Sequence, residues 1–212
     1  MKLTLIGNGI MAQSLARGLI KNHEVEIIGR DIDKLKNIQE KMPQIKIKVL
    51  EDHEDITNKN VLFCVKPYAL QSVSARLTGN ANILLSILAG TKLETLRKQI
   101  KAKHYIRTMP NIAASVQNST TTITGDNEAK IIAMEIFSSI GQAIWVNTEN
   151  QLDIATAIAG SGPAYLALIA EALADGAVKA GLERHISTQL VQGLFSGTAS
   201  LLKHTHPAII KD

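Results

Sequence analysis

The chain has 212 residues, of which 45% are hydrophobic, 20% are charged and 3% are aromatic, and its formal net charge is +4. This balance is that of a globular protein with its own core, and it excludes an intrinsically disordered chain. Lys34, Lys36 and Lys41 alternate with acidic side chains, a pattern typical of a solvated helix face. Because aromatic residues are also so few, we expect no nucleic-acid partner.

The first two thirds of the chain alternate short β-branched runs with longer amphipathic patterns, which predicts strands that alternate with helices. The predicted strands are Leu3–Ile6, Val25–Ile28, Ile45–Val49, Val61–Val65, Ile83–Ile87, Tyr105–Met109, Ser119–Thr124 and Ala143–Val146. The predicted helices are Met11–Lys21, Asp31–Glu40, Tyr68–Leu77, Lys92–Lys101 and Asn127–Ile140. This alternation predicts an α/β fold with a Rossmann-type, doubly wound, mainly parallel sheet.

The strand pattern stops at about residue 148, and two long helices are predicted after it, Pro163–Ala180 and Ser187–Lys203. We therefore divide the chain into an NADP-binding domain (1–148) and a small all-helical C-terminal domain (149–212). The first of these helices is apolar nearly all round, and so short a tail is too small to bury it. We expect it to pack into another subunit, which makes the chain at least a homodimer.

A membrane span is not expected in the apolar stretch between residues 154 and 180. Gly160-Ser161-Gly162-Pro163 interrupts this stretch, and charged side chains follow within it. We therefore expect no membrane partner and a cytoplasmic protein. Its single cysteine agrees with a reducing compartment.

The segment Gly7-Asn8-Gly9-Ile10-Met11-Ala12 lies between the first predicted strand and the first predicted helix. A first glycine permits the tight turn, a second lets the backbone approach a pyrophosphate, and a small third residue lets the helix pack close to the strand. The other interpretation is an ordinary glycine-rich turn. With strand, motif, helix and second strand all in order, the sequence favours a dinucleotide site.

The residues at the end of the second predicted strand indicate which of the two nicotinamide cofactors is bound. NAD enzymes usually have an acid there to bind the ribose 2′-hydroxyl, whereas this chain has Gly29-Arg30. An arginine binds a 2′-phosphate with paired hydrogen bonds, so we predict NADPH, with NADH as the alternative. The turns Val65-Lys66-Pro67 and Leu88-Ala89-Gly90 follow later strands and should border the same cleft; Lys66 is either a ligand or a solvated turn residue.

Neither the cysteine nor the histidines near the C-terminal end predict a reactive or metal-binding site. Cys64 lies in an apolar run without a charge that would lower its thiol pKa, so a buried structural residue is favoured over a nucleophile. His185, His204 and His206 lie near the C-terminal end without cysteines, so no metal site is predicted.

Several segments together resemble pyrroline-5-carboxylate reductase. They are the glycine motif, Phe63-Cys64-Val65-Lys66-Pro67, Ser86-Ile87-Leu88-Ala89-Gly90, Arg107-Thr108-Met109-Pro110-Asn111, Ala159-Gly160-Ser161-Gly162-Pro163-Ala164-Tyr165 and Glu171-Ala172-Leu173-Ala174-Asp175-Gly176. The resemblance implies reduction of 1-pyrroline-5-carboxylate to L-proline, the last step of proline biosynthesis, by hydride transfer from NADPH or NADH. It also implies homo-oligomers joined through the C-terminal helices, which would form a dimerisation domain.

The resemblance also implies a set of site residues. Those implied at the cofactor are Ile6, Gly7, Asn8, Gly9, Ile10, Met11, Gly29, Arg30, Cys64, Val65, Lys66, Pro67, Ile87, Leu88 and Ala89. Ser161, Gly162 and Pro163 are implied near the nicotinamide and the substrate. The family's further segment, with a threonine that hydrogen-bonds the ring nitrogen, does not occur in this sequence, so we expect the helical domain to be incomplete at its C-terminal end.

Two rival functions remain open. A related NADP-dependent hydroxyacid dehydrogenase or imine reductase shares the fold, but the hydroxyacid enzymes use a lysine on a tail helix, and Lys179 is the only one within the first such helix here. The second rival is a non-catalytic NADP-binding protein.

Overall fold

A computed structural model of the protein describes residues 1–204, and its principal element is an eight-stranded sheet. The strands are β1 (Lys2–Ile6), β2 (Glu24–Gly29), β3 (Lys46–Val49), β4 (Glu54–Asp55), β5 (Asn60–Phe63), β6 (Leu77–Thr78), β7 (Ala81–Ser86), β8 (Ala102–Met109), β9 (Ser119–Gly125) and β10 (Gly141–Trp145). The sheet order is β10-β9-β8-β7-β5-β1-β2-β3, and β4 pairs with β6 separately. Six strands of the large sheet run parallel to one another: β3, β2, β1, β5, β7 and β8. Strand β9 is antiparallel to β8, and β10 is parallel to β9.

The helices are α1 (Ile10–Leu19), α2 (Ile32–Lys41), α3 (Leu70–Ser74), α4 (Leu93–Gln99), α5 (Lys130–Ser138), α6 (Glu149–Ala159), α7 (Gly162–Lys179) and α8 (Arg184–Leu201). Neighbouring residues of one strand enter different cores. Leu62 of β5 joins the cluster that contains side chains of α1, α2 and α5, whereas Val61 and Phe63 join the cluster with those of α3 and α4. Because strand side chains alternate between faces, the sheet is covered on both, which confirms the doubly wound Rossmann-type fold.

The sequence located every strand of the large sheet, but it misjudged three helical segments. The predicted helix Tyr68–Leu77 is a 3₁₀ turn (Pro67–Ala69) followed by the short α3, and Leu77 lies in β6. The predicted helix Asn127–Ile140 likewise begins with a 3₁₀ turn (Asn127–Ala129) before α5.

Helix α6 was missed altogether. Its start carries a capping box, in which the Thr148 hydroxyl accepts from the Gln151 N–H and the Gln151 side chain accepts from the Thr148 N–H. A Thr followed three residues later by Gln is a sequence signal for a helix start. Leu152 on this helix is fully buried, and α6 packs on β8 and β9.

The described chain forms two compact units, Met1–Ser161 and Gly162 onward. In the second unit α7 and α8 pack against each other, yet Ala174 is the single buried residue of α7. Leu166, Leu168 and Ile169 on α7 are about half exposed or more. So much unburied apolar surface is typical of an interaction face. By length and composition alone, the helical stretch Glu149–Lys179 is also apolar enough to cross a membrane, which is weak evidence because buried core helices pass the same test.

Candidate functional site

The candidate active site is a cleft of about 480 Å³ at the carboxyl ends of four strands in the first unit. The register aligns the last residues of these strands, because Ile6 pairs with both Ile28 and Phe63, and Phe63 pairs with Ser86. The chain after each strand therefore reaches the same edge of the sheet. All fifteen residues that the sequence implies at the cofactor line this cleft. Ligands of open α/β sheets bind at this edge, where the strand order reverses beside the first strand.

Gly7 makes the sharp turn that the first strand requires before α1. Its φ is +120°, and an added Cβ would lie 2.7 Å from the backbone oxygen of Cys64. Its N–H donates to the Ile28 carbonyl at 2.8 Å. Glycine is needed here for both conformation and space, because a side chain would meet backbone atoms that have nowhere to move.

Gly9 is different, since its backbone is extended and an added Cβ would meet no atom within 4 Å. Packing within the chain therefore gives no reason for glycine at this position. A helix N-cap usually carries Ser, Thr, Asp or Asn, but Gly9 leaves the α1 N-terminus uncapped by a side chain. The open space in front of the free helix N–H groups matches what an approaching pyrophosphate needs.

A buried polar atom at the same loop also matches a missing ligand. The Asn8 amide nitrogen is buried and finds no hydrogen-bond partner among the described residues. Buried donors are normally satisfied, so an orphan donor in a cleft wall points to a bound acceptor. Together with the space at Gly9, this atom shows that the residues present fit a dinucleotide.

A side chain at position 29 would require the Asn8 side chain to move, because an added Cβ would lie 2.6 Å from the Asn8 side-chain nitrogen. The last residue of β2 is therefore a glycine packed against Asn8, not the acid that NAD enzymes use. Arg30 follows directly and lines the cleft with an exposed side chain. Lys34, which the sequence assigned to a solvated helix face, also lines it.

Cys64 and Lys66 follow β5 at the floor and rim of the cleft. Cys64 is 7% exposed, and burial raises the pKa of its thiol far above the ordinary value. The thiol is therefore protonated at neutral pH, which agrees with the structural interpretation of this residue. Lys66 is exposed, begins the 3₁₀ turn and lines the cleft, so the ligand interpretation of this lysine stays open.

The three residues implied at the substrate lie where α6 ends and α7 begins. Ser161 is the last residue of the first unit, and its N–H donates to the Thr156 carbonyl at 3.2 Å. Gly162 and Pro163 open α7 in the second unit. Pro163 in the first turn suits a helix start, since its missing N–H is not needed there.

Arg107 and Asn111 carried the resemblance without an assigned role, and the structure gives each one a partner on α6. The Arg107 side chain is 1% exposed and makes two ion pairs of 2.8 Å, one with Glu149 and one with Asp153. The Asn111 amide donates to the Ala159 carbonyl at 2.9 Å. These contacts hold both ends of the helix that leads to Ser161.

A second cation completes this ion-pair cluster, since Lys92 pairs with Asp153 at 2.9 Å. Partial burial raises the pKa of Asp153, but hydrogen bonds from Lys92 and Arg107 outweigh it and hold the pKa below its ordinary value of 3.8. The sequence contained a signal for this cluster that we did not use, namely an arginine within the predicted strand Tyr105–Met109. An arginine that packs inside a sheet needs carboxylates nearby.

Among residues 1–204, His, Cys, Asp and Glu side chains nowhere gather in a group of three that would hold a metal ion. Of the histidines considered for a metal, His206 lies outside the described residues. His185 is exposed beside Glu183 at 3.2 Å.

Comparison with known proteins gives two family-model matches. Residues 149–212 match the model described as pyrroline-5-carboxylate reductase dimerisation, and residues 2–90 match the model described as NADP oxidoreductase, coenzyme F420-dependent. The first match shows that the chain self-associates, and it falls on the helical region that contains α7.

The curated relatives are similar along the whole chain. The pyrroline-5-carboxylate reductase of Synechocystis sp. is 39% identical, with 100% of this chain and 83% of that protein covered. The Helicobacter pylori J99 enzyme is 37% identical, with 98% and 83% covered.

Solved structures agree with these relatives. A Streptococcus pyogenes 1-pyrroline-5-carboxylate reductase has a TM-score of 0.85 at 28% identity, with 100% of this chain and 84% of that chain covered. The Plasmodium falciparum enzyme, solved with NADP bound, has a TM-score of 0.79 at 26% identity, with 97% and 80% covered. The chain belongs to the pyrroline-5-carboxylate reductase family and is an NAD(P)H-dependent oxidoreductase.

Proposed function

We propose that this chain reduces 1-pyrroline-5-carboxylate to L-proline with NADPH and that the cleft in the first unit holds the cofactor. Family membership supports the reaction, and relatives such as the Plasmodium falciparum enzyme bind NADP. The observation that carries the site is the open space at Gly9 beside the orphan Asn8 donor. Packing within the chain explains neither feature, whereas a bound dinucleotide would explain both.

The fifteen residues implied at the cofactor would contact different parts of it, according to their positions along the edge of the sheet. The turn after β1 and the start of α1 would hold the pyrophosphate through backbone N–H groups. Gly29 and Arg30, after β2, would border the adenosine ribose and its 2′-phosphate. The turns after β5 and β7 would border the remainder of the cofactor, including the nicotinamide.

The substrate is a cyclic imine with a carboxylate. NADPH supplies the hydride, and the chain has to hold the imine carbon close and aligned. Ser161, Gly162 and Pro163 would receive the substrate, because backbone N–H groups at the start of α7 favour an anionic carboxylate and the Ser161 hydroxyl adds a donor. The group that hydrogen-bonds the ring nitrogen is not assigned to a residue of this sequence.

Loss of NADPH absorbance on addition of 1-pyrroline-5-carboxylate tests the reaction, and we expect turnover that depends on both compounds. A 3-hydroxy acid with NADP⁺ serves as the control substrate, since its oxidation would favour the dehydrogenase rival. NADPH binding without turnover on either substrate would favour the non-catalytic rival and contradict the reductase.

Arg30→Asp is expected to reverse the cofactor preference. The change removes a charge-assisted bond to the 2′-phosphate and adds a carboxylate that repels it, while the new acid can accept from a ribose hydroxyl. The ratio of kcat/KM for NADPH over NADH should fall by about 10- to 100-fold, as expected for the loss of roughly 1.5–3 kcal/mol. An unchanged ratio would show that Arg30 is a bystander.

The partners proposed are the small-molecule substrate and a second copy of the chain. The helical region gives self-association, and we propose at least a homodimer whose interface includes the exposed leucines of α7. We also propose that residues 1–148 form the NADP-binding domain and 149–212 the helical domain. We propose neither a nucleic acid nor a membrane as a partner. The proposed location is the cytoplasm, which agrees with the single cysteine among 212 residues.

A further inference from the structure

The cleft contains a second basic side chain near Arg30. Lys34 lies in the first turns of α2, four residues after Arg30, and both side chains are exposed and line the cleft. Neither makes an ion pair within residues 1–204. Two unpaired cations at one end of a cleft are a place for a doubly charged anion.

The backbone N–H groups at the start of α2 are less available to a phosphate than their position at this end of the cleft suggests. Asp31 is the N-cap of α2, and its carboxylate accepts from the Lys34 N–H at 3.0 Å. That helix N-terminus therefore already has an anion, and its N–H groups are partly used. A phosphate at the end of β2 has to be bound by side chains, and Arg30 and Lys34 are the cations that line the cleft there.

We propose that Lys34 is a second ligand of the NADPH 2′-phosphate and shares with Arg30 the discrimination of NADPH from NADH. This inference rests on the proposed cofactor site but not on the reductase reaction. At the end of β2 itself, Gly29 carries no acid, and the Asn8 side chain occupies the space beside it. This end of the cleft thus offers two positive charges where NAD enzymes have an acid.

Binding of two nucleotide fragments tests the proposal without turnover. Adenosine 2′,5′-bisphosphate carries the 2′-phosphate, whereas adenosine 5′-monophosphate lacks it, and calorimetric titration of the intact chain measures both. Lys34→Gln should weaken the bisphosphate about 5- to 10-fold, as for one partly exposed charge-assisted bond, and leave the monophosphate within twofold. Lys36→Gln is the matched control, since Lys36 is exposed on the same helix but does not line the cleft.

The outcomes separate the possible roles of the lysine. Loss confined to the bisphosphate in Lys34→Gln, with Lys36→Gln unchanged, supports the assignment. Equal loss for both fragments would place Lys34 at another phosphate, and equal loss in the two variants would reduce it to general surface charge, so either result overturns the proposal. If the native chain binds the bisphosphate but does not reduce 1-pyrroline-5-carboxylate, the reaction fails while this inference stands.

Discussion

Gly9→Val is expected to abolish NADPH binding while the fold stays intact. The extended backbone of Gly9 suits any residue, and an added Cβ meets nothing within 4 Å. Valine is a poorer N-cap, at about 1 kcal/mol, but replacing glycine restricts the unfolded chain and returns about 0.4–1 kcal/mol. The thermal midpoint should therefore change little, while the branched side chain occupies the space in which the pyrophosphate would lie.

Titration of NADPH should show a dissociation constant raised by more than about 100-fold, which corresponds to roughly 2.7 kcal/mol or more. Gly9→Ala should give an intermediate loss at an unchanged midpoint, because its side chain is smaller. Gly7→Ala is the contrasting variant, since its Cβ would clash with the Cys64 carbonyl at a φ of +120° and lower the midpoint itself. NADPH binding by Gly9→Val within about threefold of the native chain would contradict the placement of the pyrophosphate at this loop.

The sequence predicted the sheet well because each of its signals is local. Strands such as β1 and β5 are mainly apolar, and a glycine or a cysteine follows each of them directly at the cleft, a pattern typical of strands covered on both faces. The glycine motif depends on spacing within six residues. The fifteen cofactor residues were implied by the family resemblance, whose motifs lie at or shortly after the ends of strands.

Other features depended on contacts that are distant in sequence. The 3₁₀ turn at Pro67–Ala69 replaces the first turn of a predicted helix, because the chain has to leave β5 and pass the cleft before α3 packs on the sheet. Lys34 was assigned to a solvated face since its neighbours alternate in charge, and only the register of β2 against β1 brings it to the cleft. The sequence could not identify the partners of Arg107, because they lie more than 40 residues away.

The ion-pair cluster of Arg107 gives the second large prediction, and the size of the stability loss depends on which partner is removed. Glu149→Gln with Asp153→Asn leaves the guanidinium charge buried without a carboxylate, and we expect a loss of about 3–5 kcal/mol in the free energy of unfolding at pH 7. Arg107→Met alone should cost less, roughly 1–3 kcal/mol, because both carboxylates are partly exposed and can hydrate. Since the pKa of Asp153 is lowered in the fold, its contribution is complete above its unfolded pKa and is lost as the pH falls through the folded one.

The decisive measurement is the triple variant that combines Arg107→Met with both carboxylate changes. If the double variant is unstable because a buried charge has lost its partners, removing that charge should restore at least half of the lost free energy in urea unfolding. Glu94→Gln is the control, since it breaks the exposed pair with Lys98 and should change stability by no more than about 0.5 kcal/mol. A triple variant as unstable as the sum of its parts would mean that the three side chains act independently and that α6 is held by packing around Leu152 instead.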